Sequence, residues 1–162
     1  MSQIRYGFST PIGAAGGIVD LAPYAIDTFL NEEETGVLKF GVGVVQGSTP
    51  GSNVALPQAG ATAAKFEGIV VNNRTTEYDV EGKLAVRKGA SVGVMRYGRV
   101  FGRVAAGVKP AYGEAVYMIV DGEEAGCFTN AAEGNVAVKA RFMGGVDTTA
   151  QIAQIELFNM AQ

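Results

Sequence analysis

The stretch Ala90-Ser91-Val92-Gly93-Val94-Met95-Arg96-Tyr97-Gly98-Arg99-Val100-Phe101-Gly102-Arg103-Val104 decides how the chain reads. Ala90, Val92, Val94 and Arg96 fall on one parity; Ser91, Gly93, Met95 and Tyr97 fall on the other. A period of two residues marks a pleated strand with two distinct faces. Segments of the same kind recur outward on both sides. Upstream stand residues 37–45, β-branched and punctuated by glycine, and Phe66-Glu67-Gly68-Ile69-Val70-Val71, with residues 80–86 entering a further strand. Downstream stand residues 115–120, 127–129, 136–142 and 152–158, and Asp121-Gly122 is a hairpin-grade turn signal. About eight to ten short strands, with a turn every ten residues or so, predict an all-β sandwich or small barrel. No convincing amphipathic helix is present; one helical turn near residues 22–30 is the most the pattern allows. Gly41, Gly43, Gly68, Gly93, Gly98 and Gly102 lie in or between strands, where glycine permits bulges, bends and close backbone approach.

The first 36 residues read differently from the β-rich body at 37–162. Pro11-Ile12-Gly13-Ala14-Ala15-Gly16-Gly17 is small and punctuated. Pro23 argues against a central strand, though an edge strand could hold it. The segment reads as an extended N-terminal arm, or as an edge strand and loop, closed by the acidic turn Asn31-Glu32-Glu33-Glu34-Thr35-Gly36. Residues 46–64 read as one long, turn-rich loop, a length that is usually functional or mobile inside a compact domain. The whole chain of 162 residues corresponds to about one domain with a self-sufficient core.

Composition removes many chemistries. The chain has no His and a single Cys, Cys127. A Ser-His-Asp triad, a Cys-His pair, a His-ligated metal, an intrachain disulfide and a thiolate zinc cage are therefore all excluded. Lys+Arg 13 against Asp+Glu 16 leaves a net charge of −3, so no bulk positive field holds nucleic acid by counterion release. No apolar run reaches the length of a membrane span. Met1-Ser2-Gln3-Ile4-Arg5-Tyr6 lacks the order of a secretory signal, which predicts a protein made in the cytoplasm.

The local motifs are weak. Gly41-Val42-Gly43-Val44-Val45-Gln46-Gly47 approaches the dinucleotide fingerprint, but Ser48-Thr49-Pro50-Gly51 cannot open the helix which that site needs, so a bent strand is the better reading. Glu32-Glu33-Glu34 are consecutive, whereas cation loops alternate ligands with spacers, and they read as a solvated turn. Glu67, Glu77, Asp79 and Glu81 are close in sequence, yet nothing singles out an acid and base pair among them. Arg96, Arg99 and Arg103 with Tyr97 and Phe101 form the one basic-aromatic stripe, to which Arg74, Arg87 and Lys88 could add. Such residues suit a solvated strand face or a protein interface, and less well nucleic-acid stacking. Asn73-Arg74-Thr75 matches the glycosylation sequon but reads as a polar loop, and Cys127 as a small buried hydrophobe.

The order of the segments resembles the structural cement, or decoration, proteins of tailed bacteriophages. The stretches that carry the resemblance are Gly16-Gly17-Ile18-Val19-Asp20, then Gly36-Val37-Leu38-Lys39-Phe40-Gly41-Val42-Gly43-Val44-Val45, Phe66-Glu67-Gly68-Ile69-Val70-Val71, residues 86–100 and Gly113-Glu114-Ala115-Val116-Tyr117. The resemblance implies a body of jelly-roll or barrel type in a small homo-oligomer, dimer or trimer. It implies a virion protein on the outer capsid that bridges neighbouring major capsid protein subunits, with no enzymatic activity, no cofactor, no metal, and neither nucleic acid nor membrane as partner. Ile12, Ile18, Leu21, Tyr24, Phe29, Leu56, Arg96, Tyr97, Arg99, Phe101 and Arg103 are the expected contact residues, on the arm, the 46–64 loop and the stripe. Deleting the arm is expected to abolish capsid binding while leaving a folded β-body. A tail or fibre module, a small carbohydrate-binding sandwich lacking Trp, and an enzyme are the alternatives.

Overall fold

A computed structural model describes residues 12–72, 77–78 and 84–158. The Asn73-Arg74-Thr75 sequon, Asp79, Glu81 and the side chain of Glu77 lie outside the described residues, as do residues 1–11. Eleven strands follow in chain order: β1 (Ala25–Asn31), β2 (Gly43–Gln46), β3 (Asn53–Ala55), β4 (Phe66–Val70), β5 (Glu77–Tyr78), β6 (Leu84–Ala85), β7 (Ser91–Arg103), β8 (Ala115–Met118), β9 (Phe128–Thr129), β10 (Val136–Phe142) and β11 (Ile152–Leu157). The fold is all-β, and among the described residues the one other element is a 3-10 turn at Ala63–Lys65.

The long strand β7 organises the molecule. Its N-terminal half pairs with β1 on one side and β4 on the other. The circuit β7-β1-β3-β2-β4-β7 closes on itself, giving a five-stranded barrel that is mixed because β1 and β3 run parallel. Its C-terminal half pairs with β11, and the sheet continues through β10, β8 and β9. A parallel bridge between Val104 and Phe128 returns β9 to the end of β7. The small barrel expected from the strand spacing is thus present, and a second curled sheet is attached to it through one continuous strand.

Two hydrophobic clusters explain why the strands read as they do. Phe29, Leu38, Val44, Val54, Val70, Val92 and Val94 share one core. Val45, Ile69 and Met95, their immediate chain neighbours, belong to the other, with Phe128, Phe142, Ile155 and Leu157. Strands β2, β4 and the first half of β7 are therefore buried on both faces, as a strand between two packed layers must be. Val100 and Val104, on the same parity as Val92 and Val94, enter the second cluster. The parity changes at a bulge: Ala25 pairs with Tyr97 and Ile26 with Met95, which leaves Arg96 as the extra residue. Gly98 follows it with φ +122, and a Cβ there would come within 2.6 Å of the Tyr24 Cβ, so only glycine fits. Gly43 has a different reason: a Cβ would lie 2.7 Å from the Met118 sulfur and 2.9 Å from the Phe128 ring, where the barrel meets the second sheet.

Three local expectations change. The helical turn near residues 22–30 is instead strand β1, which pairs along its length with β7. Pro23 is accommodated because it precedes the strand. The 46–64 stretch holds a strand, β3, which pairs with both β1 and β2 and closes the barrel; three residues were too short to show as an alternation. Of the expected 37–45 strand only residues 43–45 join a ladder, which runs on to Gln46, although Leu38 and Val42 still enter the core.

Candidate interaction surface

Residues 12–24 are laid along the outer edge of the second half of β7. Gly16 N–H donates to Phe101 C=O at 2.8 Å, Phe101 N–H to Gly17 C=O at 2.9 Å and Val19 N–H to Arg99 C=O at 3.0 Å. The small residues make this close approach possible: the Phe101 ring fills the space that a side chain on Gly13 would need, and a Cβ on Gly17 would lie 2.9 Å from the Ala14 carbonyl oxygen. The chain then bends at Asp20, whose Oδ1 accepts the Ala22 N–H at 3.0 Å. Its Oδ2 accepts from Arg99 Nη1 at 2.8 Å.

Arg99 starts a relay of ion pairs. Its Nε donates to Glu156 Oε1 at 3.1 Å, and Arg141 Nε donates to Glu156 Oε2 at 2.7 Å. The relay ties together the N-terminal segment, β7, β11 and β10. Glu156 and Arg99 are cross-strand partners, as are Glu156 and Arg141. The hydrogen bond from Arg99, then that from the Ala22 N–H, holds the Asp20 carboxyl below its usual range. Burial pushes the Glu156 carboxyl upward, but the hydrogen bonds from Arg141 and Arg99 outweigh it and the net direction is down. The Arg141 guanidinium also lies 5.7 Å from the Tyr112 ring centre and 5.9 Å from that of Phe158.

The other arginines of the stripe are also engaged within the chain. Arg96 Nη1 donates to Asp27 Oδ2 at 3.0 Å, and its Nη2 lies 3.7 Å from the Glu67 carboxylate. Among the described residues its Nε is the buried side-chain polar atom without a partner. Arg103 Nε donates to Phe40 C=O at 2.8 Å. The stripe is therefore not a free basic surface.

The expected contact residues divide accordingly. Ile12, Ile18, Leu21, Tyr24 and Tyr97 are exposed, Leu21 at 94% of its surface. Phe29 is 5% exposed and enters the barrel core, whereas Phe101, at 6%, has its ring covered by the N-terminal segment at Gly13. Leu56 is half-buried against the barrel core. Leu21 and Tyr24 lie on the segment that reaches Tyr97, Gly98 and Arg99 at the middle of β7. The sequence reading missed Tyr112, Arg141 and Phe158, which extend the same face. Their signal is the register of β10 against β11, which puts Arg141 opposite Glu156; spacing alone does not contain it.

The acidic run does not form a cation site. Glu32 Oε2 accepts the Ser48 N–H at 2.7 Å, Glu33 Oε1 accepts the Leu56 N–H at 2.8 Å, and Glu34 pairs with Lys88. Among the described residues no group of three or more His, Cys, Asp or Glu could hold a metal ion. The near-fingerprint at 41–47 leads into strand β2 and then into turns, not into a helix.

Residues 2–158 match the family described as structural cement protein (E217 gp24/Pam3 gp6). The chain belongs to this family of phage structural cement proteins. Among solved structures, a chain of "The capsid of Myoviridae Phage XM1" is 20% identical and superposes with a TM-score of 0.73 over 98% of each chain. At that identity the likeness shows a shared fold, and it extends over both the barrel and the attached sheet. Comparison with curated protein sequences gives no match. As a cement protein the chain is a structural component of a phage virion that associates with capsid proteins. A body stapled by ion pairs and presenting exposed apolar side chains suits that work.

Proposed function

We propose that this cement protein sits on the outer surface of the capsid, bridges neighbouring major capsid protein subunits, and acts as a homodimer or homotrimer with no enzymatic activity. It is made in the cytoplasm of the host bacterium. The observation that carries the reading is the family match across residues 2–158. The exposed apolar side chains of Ile12 and Ile18 and the outward turns of the 46–64 stretch support it, because they offer contact area outside the folded cores. Interfaces draw most of their binding energy from a few such anchors, and many copies placed on one lattice add avidity.

The test is to mix purified protein with expanded capsids of its own phage that lack it, and to sediment them. Saturable co-sedimentation at a fixed ratio to the major capsid protein, with capsids that survive higher temperature, is the expected result. No binding to intact expanded capsids would overturn the reading.

A further inference from the structure

Arg96 Nε is buried and has no hydrogen-bond partner among the described residues. Beside it, Glu67 is 7% exposed, and its carboxylate accepts no hydrogen bond from them either. Arg96 Nη2, at 3.7 Å, is an ion-pair partner to Glu67 but too distant to bond. Both groups line a recess of about 360 Å³ between the barrel and β10 of the second sheet. Ala64, Phe66, Ala137 and Val138 give it apolar walls, and Gln46 and Lys139 also line it. A buried donor or acceptor left without a partner is costly. Here one of each stands side by side in a cavity. The charges around them cancel: Arg96 and Lys139 against Glu67 and Asp27, which accepts from Arg96 Nη1. The recess therefore favours a neutral group that both accepts and donates.

We infer that the recess binds a carboxamide, the side chain of an Asn or Gln presented by the capsid protein. The inference rests on the capsid-binding reading above and gives it one contact. A carboxamide carries an acceptor oxygen and two N–H donors on one planar group. Its oxygen accepts from Arg96 Nε–H while an N–H donates to Glu67, so both unpaired groups gain a partner at once. Other chemistries meet half of the site. A carboxylate brings no proton for Glu67 and faces its like charge; an ammonium brings no acceptor for Arg96. A single water reaches both groups, but it occupies only about 30 Å³ and leaves the apolar walls uncovered. The aliphatic stem of Asn or Gln covers them. Apolar lining with a few convergent polar groups is the usual make-up of a ligand site.

The experiment titrates the full chain with propionamide and follows the proton–nitrogen signal of Arg96 Nε, assigned by its loss in Arg96→Lys. The expected result is a saturable shift with propionamide and none with propionate or ethylammonium at equal concentration. Glu67→Leu removes the acceptor. Ala137→Phe, at an exposed position on the recess wall, fills the cavity without touching the core. Each is expected to weaken propionamide binding about tenfold or more, with an unchanged circular dichroism spectrum. Ala137→Phe is also expected to weaken co-sedimentation with expanded capsids about tenfold. No saturable shift, an equal shift with propionate, or a shift that survives Ala137→Phe overturns the site and leaves only a bridging water. Unchanged capsid binding by Ala137→Phe overturns the assignment to a capsid side chain. A wild type that shifts with propionamide yet ignores capsids overturns the cement reading and keeps the carboxamide site, so the two failures are distinguishable.

Discussion

Arg99 Nη1 lies 2.8 Å from Asp20 Oδ2, an ion pair that joins the N-terminal segment to the centre of β7 across 79 residues of chain. Arg99 also holds Glu156, so one guanidinium anchors two carboxylates from different elements.

Both carboxyls titrate below their usual values of 3.8 and 4.5. Groups depressed in the folded state contribute stability above their unfolded pKa and lose it as pH falls through the folded one. The melting temperature is therefore expected to be level from neutral pH down to about pH 5 and to fall below that. Glu156→Gln should reduce that fall and lower stability at neutral pH by about 1 kcal/mol, since its hydrogen-bonded pairs are partly solvated. Melts followed by circular dichroism at a series of pH values check both.

Gly98→Ala meets two penalties, a φ of +122 and a Cβ driven against Tyr24. The expected loss is about 2–4 kcal/mol, read as a lower urea midpoint with an unchanged slope. A midpoint equal to the wild type would contradict the bulge described at this position.

Phe128 is fully buried, packs near Gly43 and Gly102, and bridges to Val104. Phe128→Ala should cost about 3–5 kcal/mol. Because its ring sits where the barrel meets the second sheet, both should melt earlier, which tryptophan-free fluorescence of the tyrosines and far-ultraviolet circular dichroism would report together.

Truncations at the N-terminus should divide sharply. A chain starting at Tyr24 keeps β1 and is expected to fold cooperatively, with Phe101 uncovered and capsid binding weakened. A chain starting at Asn31 lacks nearly all of a barrel strand, so it should lose cooperative unfolding altogether; a folded β-body after that deletion would mean β1 is dispensable.

Burial pushes the Cys127 thiol above its usual 9.0, with Glu124 adding to the effect against Arg103 and Lys39. Only the thiolate reacts readily. Maleimide labelling should be slow at neutral pH and speed up above about pH 9, or at once in denaturant.

The fold was legible wherever alternation was long enough to register. Residues 66–70, 91–103, 136–142 and 152–157 stood out because each runs for five residues or more. Strand β3 did not, since Asn53-Val54-Ala55 carries one core side chain, Val54, between small and polar neighbours. Strand β1 was masked by Asp27 and Thr28, exposed polar residues on both of its faces that break the alternation. The candidate surface was half legible. Leu21, Tyr24 and Tyr97 can be picked as apolar residues in open segments, but Tyr112, Arg141 and Phe158 join them only through the register of distant strands. The intrachain pairing of the arginine stripe was hidden for the same reason. Its counter-charges, Asp20, Asp27, Glu67 and Glu156, come from four other segments.

The passage of β7 from the barrel into the second sheet has a mechanical consequence. A pull that tries to draw the two halves apart loads a covalent backbone, and the neighbouring ladders are strained in shear along many hydrogen bonds at once. Neither half can slide off the other as a docked domain would, so forced extension of a single molecule should show one high rupture event, not two.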